Sequence, residues 1–168
     1  MKKICNPFYS LAFLLLLAVS TSSCNSGKQL TAAATPEQVA GAIDSSKWIF
    51  WANDVMPQFG TNRNVSGDGY TVSFSGDKLL VYLPYYGKAY SGGAAYTGKS
   101  PLDFTSANFT IDKQQAKEKQ WEITIKPKDN SEVQAMNFTI FSSGSANLNI
   151  IMTNRSGINY NGTIRVKK

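Results

Sequence analysis

Leu79-Leu80-Val81-Tyr82-Leu83-Pro84-Tyr85-Tyr86-Gly87-Lys88-Ala89-Tyr90 is a strongly apolar run that halts at a proline and opens into an aromatic stretch punctuated by glycine. Residues 79–83 have high β propensity, and Pro84 has no N–H to give to an inner ladder. Gly87, Gly92, Gly93 and Gly98 allow backbone angles that other residues avoid. The stretch therefore reads as a strand end that opens onto a loop. Immediately upstream, Tyr70, Val72 and Phe74 alternate with Thr71, Ser73 and Ser75, one face buried and one wet, and Gly76-Asp77-Lys78 closes a short hairpin.

Working outward, the same period of two governs most of the chain. Trp48-Ile49-Phe50-Trp51-Ala52 is apolar on both faces, which predicts a strand covered by the core on one side and by a helix or loop on the other. Residues 62–69 are rich in turn formers. Phe109 and Ile111 mark a further strand, and the charged residues 112–119 read as an exposed hairpin connection. Trp121, Ile123 and Ile125 alternate with Glu122, Thr124 and Lys126, and Met136, Phe138 and Ile140 alternate with Asn137 and Thr139. The sequons at Asn108 and Asn137 fall in these strands and read as β composition. Turns at residues 142–145 and 153–157 lead to Leu148, Ile150 and Met152, then to Ile158, Tyr160, Ile164 and Val166. Before all of these, Thr35-Pro36-Glu37-Gln38 combines an N-cap, a first-turn proline and a capping-box Gln, predicting a helix to about Asp44 with Val39, Ala40 and Ile43 on one side. That side can lie against a sheet or across a barrel mouth. The expected fold is all-β: an antiparallel up-and-down meander of about eight strands that closes into a barrel or folds into a sandwich, with one short N-terminal helix.

The first residues belong to a different segment. Lys2 and Lys3 precede the apolar run LAFLLLLAV at residues 11–19, which is too short for a spanning anchor and reads as a cleaved secretory signal. Ser20, Thr21, Ser22 and Ser23 lead into Cys24 as in a bacterial lipobox, although Thr21 stands where Leu is commonest. The organisation expected is a signal peptide at 1–23, a flexible tether at 24–34 and one domain at 35–168, with Cys24 acylated and the membrane reached through that lipid. No acidic run follows Cys24, which favours an outer-membrane lipoprotein facing the periplasm.

Composition then excludes chemistry. Cys5 leaves with the signal and Cys24 carries lipid, so the mature domain has neither thiol nor disulfide and rests on its core. Histidine is absent. A Ser-His-Asp triad, a cysteine nucleophile and the usual His/Cys zinc site are therefore excluded, and no metal or cofactor is expected. Loss of Lys2 and Lys3 lowers the basic residues from 17 to 15 against 11 acidic ones, leaving a net charge of about +4, which bears first on solubility. Lys113, Lys117, Lys119, Lys126, Lys128, Arg165, Lys167 and Lys168 could face anionic headgroups, or form a solvated surface with Glu118, Glu122 and Asp129 interleaved. Nucleic acid is not an expected partner in the envelope.

Three segments together resemble a known family. They are Val81-Tyr82-Leu83-Pro84-Tyr85-Tyr86-Gly87-Lys88-Ala89-Tyr90, Trp121-Glu122-Ile123-Thr124-Ile125-Lys126-Pro127-Lys128-Asp129 and Asn161-Gly162-Thr163-Ile164. They are similar to the domain of unknown function family 4251, small Bacteroidota lipoproteins, over about residues 35–166. The resemblance implies a signal peptide, an N-terminal helix and a lipocalin-like antiparallel barrel. It implies no activity, cofactor or partner. Lys88 stands where Arg is more usual.

Two sets of side chains remain as candidates. Asp54, Asp68, Asp77, Asp103 and Asp112 lie near strand ends or turns, and a pair about 5 to 9 Å apart in a cleft would suit a glycoside hydrolase. Asp68 and Asp77 stand beside glycines, where Asp is ordinary turn chemistry, and no calcium-loop spacing is present. Tyr82, Tyr85, Tyr86, Tyr90 and Tyr96 form the second set: flat rings with polar tips that either stack on a ligand or plug the end of the barrel. The expected function is a non-catalytic envelope lipoprotein whose tyrosine-rich loop engages a hydrophobic or glycan ligand or an envelope protein. A structural or interaction module with a filled barrel is the alternative, and a carboxylate glycosidase the third reading.

Overall fold

The computed structural model describes residues 35–75, 77–90, 99–117 and 119–166. The expected signal peptide and tether, with Cys24, and Gly92, Gly93, Tyr96 and Gly98 lie outside the described residues. Helix α1 (Pro36–Asp44) begins as the sequence predicts. The Thr35 side chain accepts from the Gln38 N–H, and the Gln38 side chain accepts from the Thr35 N–H, so two orphan donors are satisfied. Val39, Ala42 and Ile43 are buried, the branched pair contributing about 1.5–3 kcal/mol each. Ala40, expected on the same side, is half-buried.

Ten strands follow: β1 (Trp48–Pro57), β2 (Arg63–Asn64), β3 (Thr71–Ser75), β4 (Lys78–Tyr82), β5 (Asp103–Ser106), β6 (Phe109–Lys117), β7 (Gln120–Pro127), β8 (Val133–Phe141), β9 (Ser145–Met152) and β10 (Ile158–Val166). All pairings are antiparallel, in the order β5-β4-β3-β1-β10-β9-β8-β7-β6, with β2 paired to β1 off this path. First and last strands are neighbours, so the meander curls back on itself. β5 and β6 stand at opposite ends of a nine-strand antiparallel path and so run the same way. Only Ala107 and Asn108 separate them. They are the two halves of one bent strand, the first paired with β4 and the second with β7. Counted so, eight strands surround the interior, the barrel-like meander that alternation predicts.

The bend is held by one carboxylate. Asp129, just beyond β7, accepts from the Ser106 hydroxyl (2.5 Å) and from the N–H groups of Ala107 (2.8 Å) and Asn108 (3.1 Å). The Lys128 N–H donates to the Asn108 carbonyl (2.7 Å), completing the clip. These hydrogen bonds, the Ser106 hydroxyl first, hold the Asp129 carboxyl below its usual range.

Inward residues follow the period of two. β9 alternates perfectly, with Ala146, Leu148, Ile150 and Met152 buried, and β10 sends Ile158, Tyr160 and Ile164 inward. Trp48 lies edge-on between Phe74 and Phe138, each ring centroid 5.2 Å away. Its indole N–H has no acceptor, a cost of about 1–3 kcal/mol that ring packing offsets. Gly162 lets β1 and β10 meet: a Cβ there would strike the Trp51 carbonyl oxygen and the Phe50 ring.

One expectation is corrected, and one strand was not foreseen. Residues 112–117 belong to β6 rather than to a connection; they pair with β7 while remaining exposed themselves, so hydropathy cannot register them as strand. On the outward face of β1, Trp51 is half-buried, with its ring under the Arg165 guanidinium of β10 at 4.2 Å. Helix α1 covers the barrel end marked by the β8–β9 turn, where Val39 reaches Gly144, and Lys113 of β6 donates to its terminal carbonyls, Ile43 O (2.6 Å) and Asp44 O (3.1 Å). β5 has no apolar alternation and escaped notice altogether.

Candidate binding face

The end opposite the helix is closed by residues 83–90. Leu83 and Pro84 are buried, and Pro84 is where the chain leaves the sheet. The buried Tyr160 hydroxyl donates to the Pro84 carbonyl (2.7 Å), joining this segment to the floor of the core. Burial pushes the Tyr160 phenol well above its ordinary pKa. Tyr85 points down beside it. Its hydroxyl donates to the Ser156 carbonyl (2.8 Å) and lies 3.2 Å from both the Ser156 hydroxyl and the Lys88 carbonyl. The Lys88 N–H donates to the Ser156 hydroxyl (2.9 Å), and the Ser156 N–H donates to the Lys88 carbonyl (2.9 Å). A bridge between Ala89 and Arg155 and a bond from the Tyr90 N–H to the Asn154 carbonyl continue the contact, so the segment is laced onto the β9–β10 turn.

Gly87 is the tight point in this lacing. A Cβ there would meet the Tyr85 hydroxyl and the Ser156 hydroxyl, so glycine is required by space rather than by backbone angle. Ser156 is one of two buried polar residues of the described chain, with Ser106, and a lone serine in a turn gives no sequence signal of such a role.

The tyrosines thus divide. Tyr85 is the plug, half-buried and raised in pKa mainly by burial, against the lowering influence of Ser156 and of Arg155, whose guanidinium stands 5.6 Å from its ring. Tyr82, Tyr86 and Tyr90 face outward at 50%, 37% and 62% exposure. Tyr82 packs against Tyr70 with centroids 5.3 Å apart, and Arg63 of β2 lies 4.5 Å over Tyr86. Phe59, 44% exposed, lies 5.1 Å below the Lys88 ammonium. Four of the seven exposed large hydrophobic residues among the described residues are therefore at this end, with two cations beside them. Phe59 and Arg63 were missed because nothing periodic marks them between β1 and β3, and Tyr70 was read only as the start of a buried strand face, whereas it is half-buried beside Tyr82.

The carboxylates do not gather in the same way. Asp54 lies on β1 and accepts from Asn64 (2.9 Å), Asp68 precedes β3, and Asp77 turns from β3 to β4. Asp103 on β5 is 3.4 Å from Lys99, and Asp112 on β6 accepts from Gln114 (3.0 Å). They occupy separate elements, and no cluster of three metal-ligating residues is found among the described residues. Two grooves of about 240 and 280 Å³ lie on outer faces, over β6–β7 and over β8–β10, rather than beside the tyrosines. No helix of the described residues is long and apolar enough to cross a membrane.

A crystal structure of a DUF4251 family protein from Bacteroides eggerthii DSM 20697 is similar, with a TM-score of 0.58 at 14% identity over 80% of this chain and 89% of that one. At that identity the likeness speaks for the fold alone. Curated proteins give no match. The family model described as a domain of unknown function, DUF4251, matches residues 31–164, so the chain belongs to that family.

Proposed function

We propose that the protein is a non-catalytic binding module that engages an envelope protein through the aromatic and basic face formed by Phe59, Arg63, Tyr82, Tyr86, Lys88 and Tyr90. The observation that carries this is the gathering of exposed rings at one barrel end, each of Tyr86 and Phe59 with a cation over it. Tyrosine and arginine supply large contact area with polar tips and are enriched at interfaces and their hot spots. Contact through a surface is favoured over an enclosed hydrophobic ligand, because inward side chains of the strands and of α1 form one continuous core. The membrane-proximal part of the reading comes from the leader: acylation of Cys24 would hold the domain at the outer membrane, facing the periplasm.

A glycan stacked on Tyr82 or Tyr90 is the second reading, favoured by their flat exposed rings. Replacing Tyr82, Tyr86 and Tyr90 by serine should leave the melting temperature within a few degrees of the wild type and abolish a specific protein complex in the envelope. Retention of the complex by the triple variant would overturn the proposal.

A further inference from the structure

The outer face of β8, β9 and β10 carries asparagines that neither the core nor the tyrosine end uses. Asn137, Asn147, Asn149, Asn159 and Asn161 each stand between two buried strand neighbours, so all five present themselves outward. Asparagine is disfavoured in strands because its amide competes with the backbone ladder. Five of them on three consecutive strands are not what sheet stability selects. The register aligns them in two rows: Asn137, Asn149 and Asn159 lie side by side, and Thr139, Asn147 and Asn161 lie beside them.

The first row is oriented. The Thr124 hydroxyl donates to Asn137 Oδ1 (3.1 Å), Asn137 Nδ2 donates to Asn149 Oδ1 (3.5 Å), and Asn149 Nδ2 donates to Asn159 Oδ1 (2.7 Å). Each amide has two N–H donors and two carbonyl lone pairs, so a chain that uses one of each leaves the others free to meet a ligand in a fixed direction. Asn147, Asn149 and Asn159 are exposed. The rows border a groove of about 280 Å³ with Met56 at its margin, and no charged side chain lines it.

We propose that this face binds a neutral polysaccharide chain. Alternating amide donors and acceptors match the vicinal hydroxyls of a sugar, and strands about 4.8 Å apart repeat them at close to the advance of one ring in an extended glycan. An anionic polymer would find no cation in the groove, and a protein partner would find no apolar anchor beyond the half-buried Met56, because Leu148 and Tyr160 are buried in the core. Without a stacking ring, each sugar contributes little, so affinity grows with the number of sugars engaged.

The test is a titration of the isotopically labelled full-length protein with cellohexaose, laminarihexaose, maltohexaose and chitohexaose at millimolar concentration, read by the side-chain amide resonances. At least one hexaose should shift the Asn147, Asn149, Asn159 and Asn161 amides, and the Asn149→Ala, Asn159→Ala variant should bind about tenfold more weakly. Should that variant fail to fold, the near-isosteric Asn147→Asp, Asn149→Asp variant is expected to show the same loss. Absence of shifts with all four hexaoses would overturn the proposal, as would shifts confined to residues around Tyr82 and Tyr90, which would assign the sugar to the tyrosine end instead. The two faces share no residue, so failure here leaves the protein-binding proposal standing.

Discussion

Replacing Gly162 by alanine asks whether β1 and β10 meet as closely as the barrel requires. The new methyl would strike the Trp51 carbonyl oxygen, which is backbone in the longest pairing of the sheet, and would approach the Phe50 ring atoms at 2.6 and 2.7 Å. Neither can move cheaply: Phe50 is fully buried against Phe138, its centroid 5.6 Å away, and the carbonyl is fixed beside the β1 bulge between Ala52 and Asp54. Overpacking of this kind costs about 1–3 kcal/mol where side chains alone shift, and displacement of a ladder puts this site at about 3 kcal/mol. For a domain of this size that lowers the melting temperature by roughly 10 °C. The internal control is Gly41→Ala in α1, where a Cβ meets nothing within 4 Å. There alanine should stabilise by about 0.5–1 kcal/mol through helix propensity. Thermal unfolding followed by circular dichroism reads both, and a Gly162→Ala protein that melts with the wild type would refute the close approach.

Three further outcomes follow from the same contacts. Tyr85→Ala should destabilise by about 2 kcal/mol, since it opens a hole beneath the closing segment and strips the Ser156 carbonyl of its hydroxyl donor, whereas Tyr90→Ala should leave unfolding unchanged. Tyr160→Phe should cost about 1–2 kcal/mol by orphaning the Pro84 carbonyl. Because the folded pKa of Tyr160 is raised, its contribution is full below the unfolded value of about 10 and is lost as pH rises toward the folded one, so the phenylalanine variant should show a flatter alkaline limb in a stability profile. Asp129→Asn should lower the melting temperature at neutral pH and flatten the acid limb. The depressed carboxyl contributes above about pH 4 and loses that contribution as pH falls through its folded value.

The strands with one wet face were legible because alternation is a direct record of burial: Leu148, Ile150 and Met152 announce β9 without help from any partner. The helix start was legible for an equally local reason, the reciprocal bonds of Thr35 and Gln38. What escaped were elements made by pairing rather than by burial. β5 contributes Asp103-Phe104-Thr105-Ser106, a stretch whose strand character comes from β4 beside it, and the exposed half of β6 exists because β7 continues alongside. The tyrosine set was found as a set, but its division was not. Whether a tyrosine plugs or protrudes depends on Ser156, which lies 71 residues from Tyr85 in sequence. The asparagine rows are invisible for the same reason, since only register brings Asn137, Asn149 and Asn159 abreast.

A photo-crosslinking residue placed in living cells at position 82, 86 or 90, with the same residue at the exposed Lys117 at the other end as control, tests the proposed role most directly. The account predicts one discrete protein adduct from the three tyrosine positions and none from position 117. The same adducts from all four positions, or none from any, would contradict it.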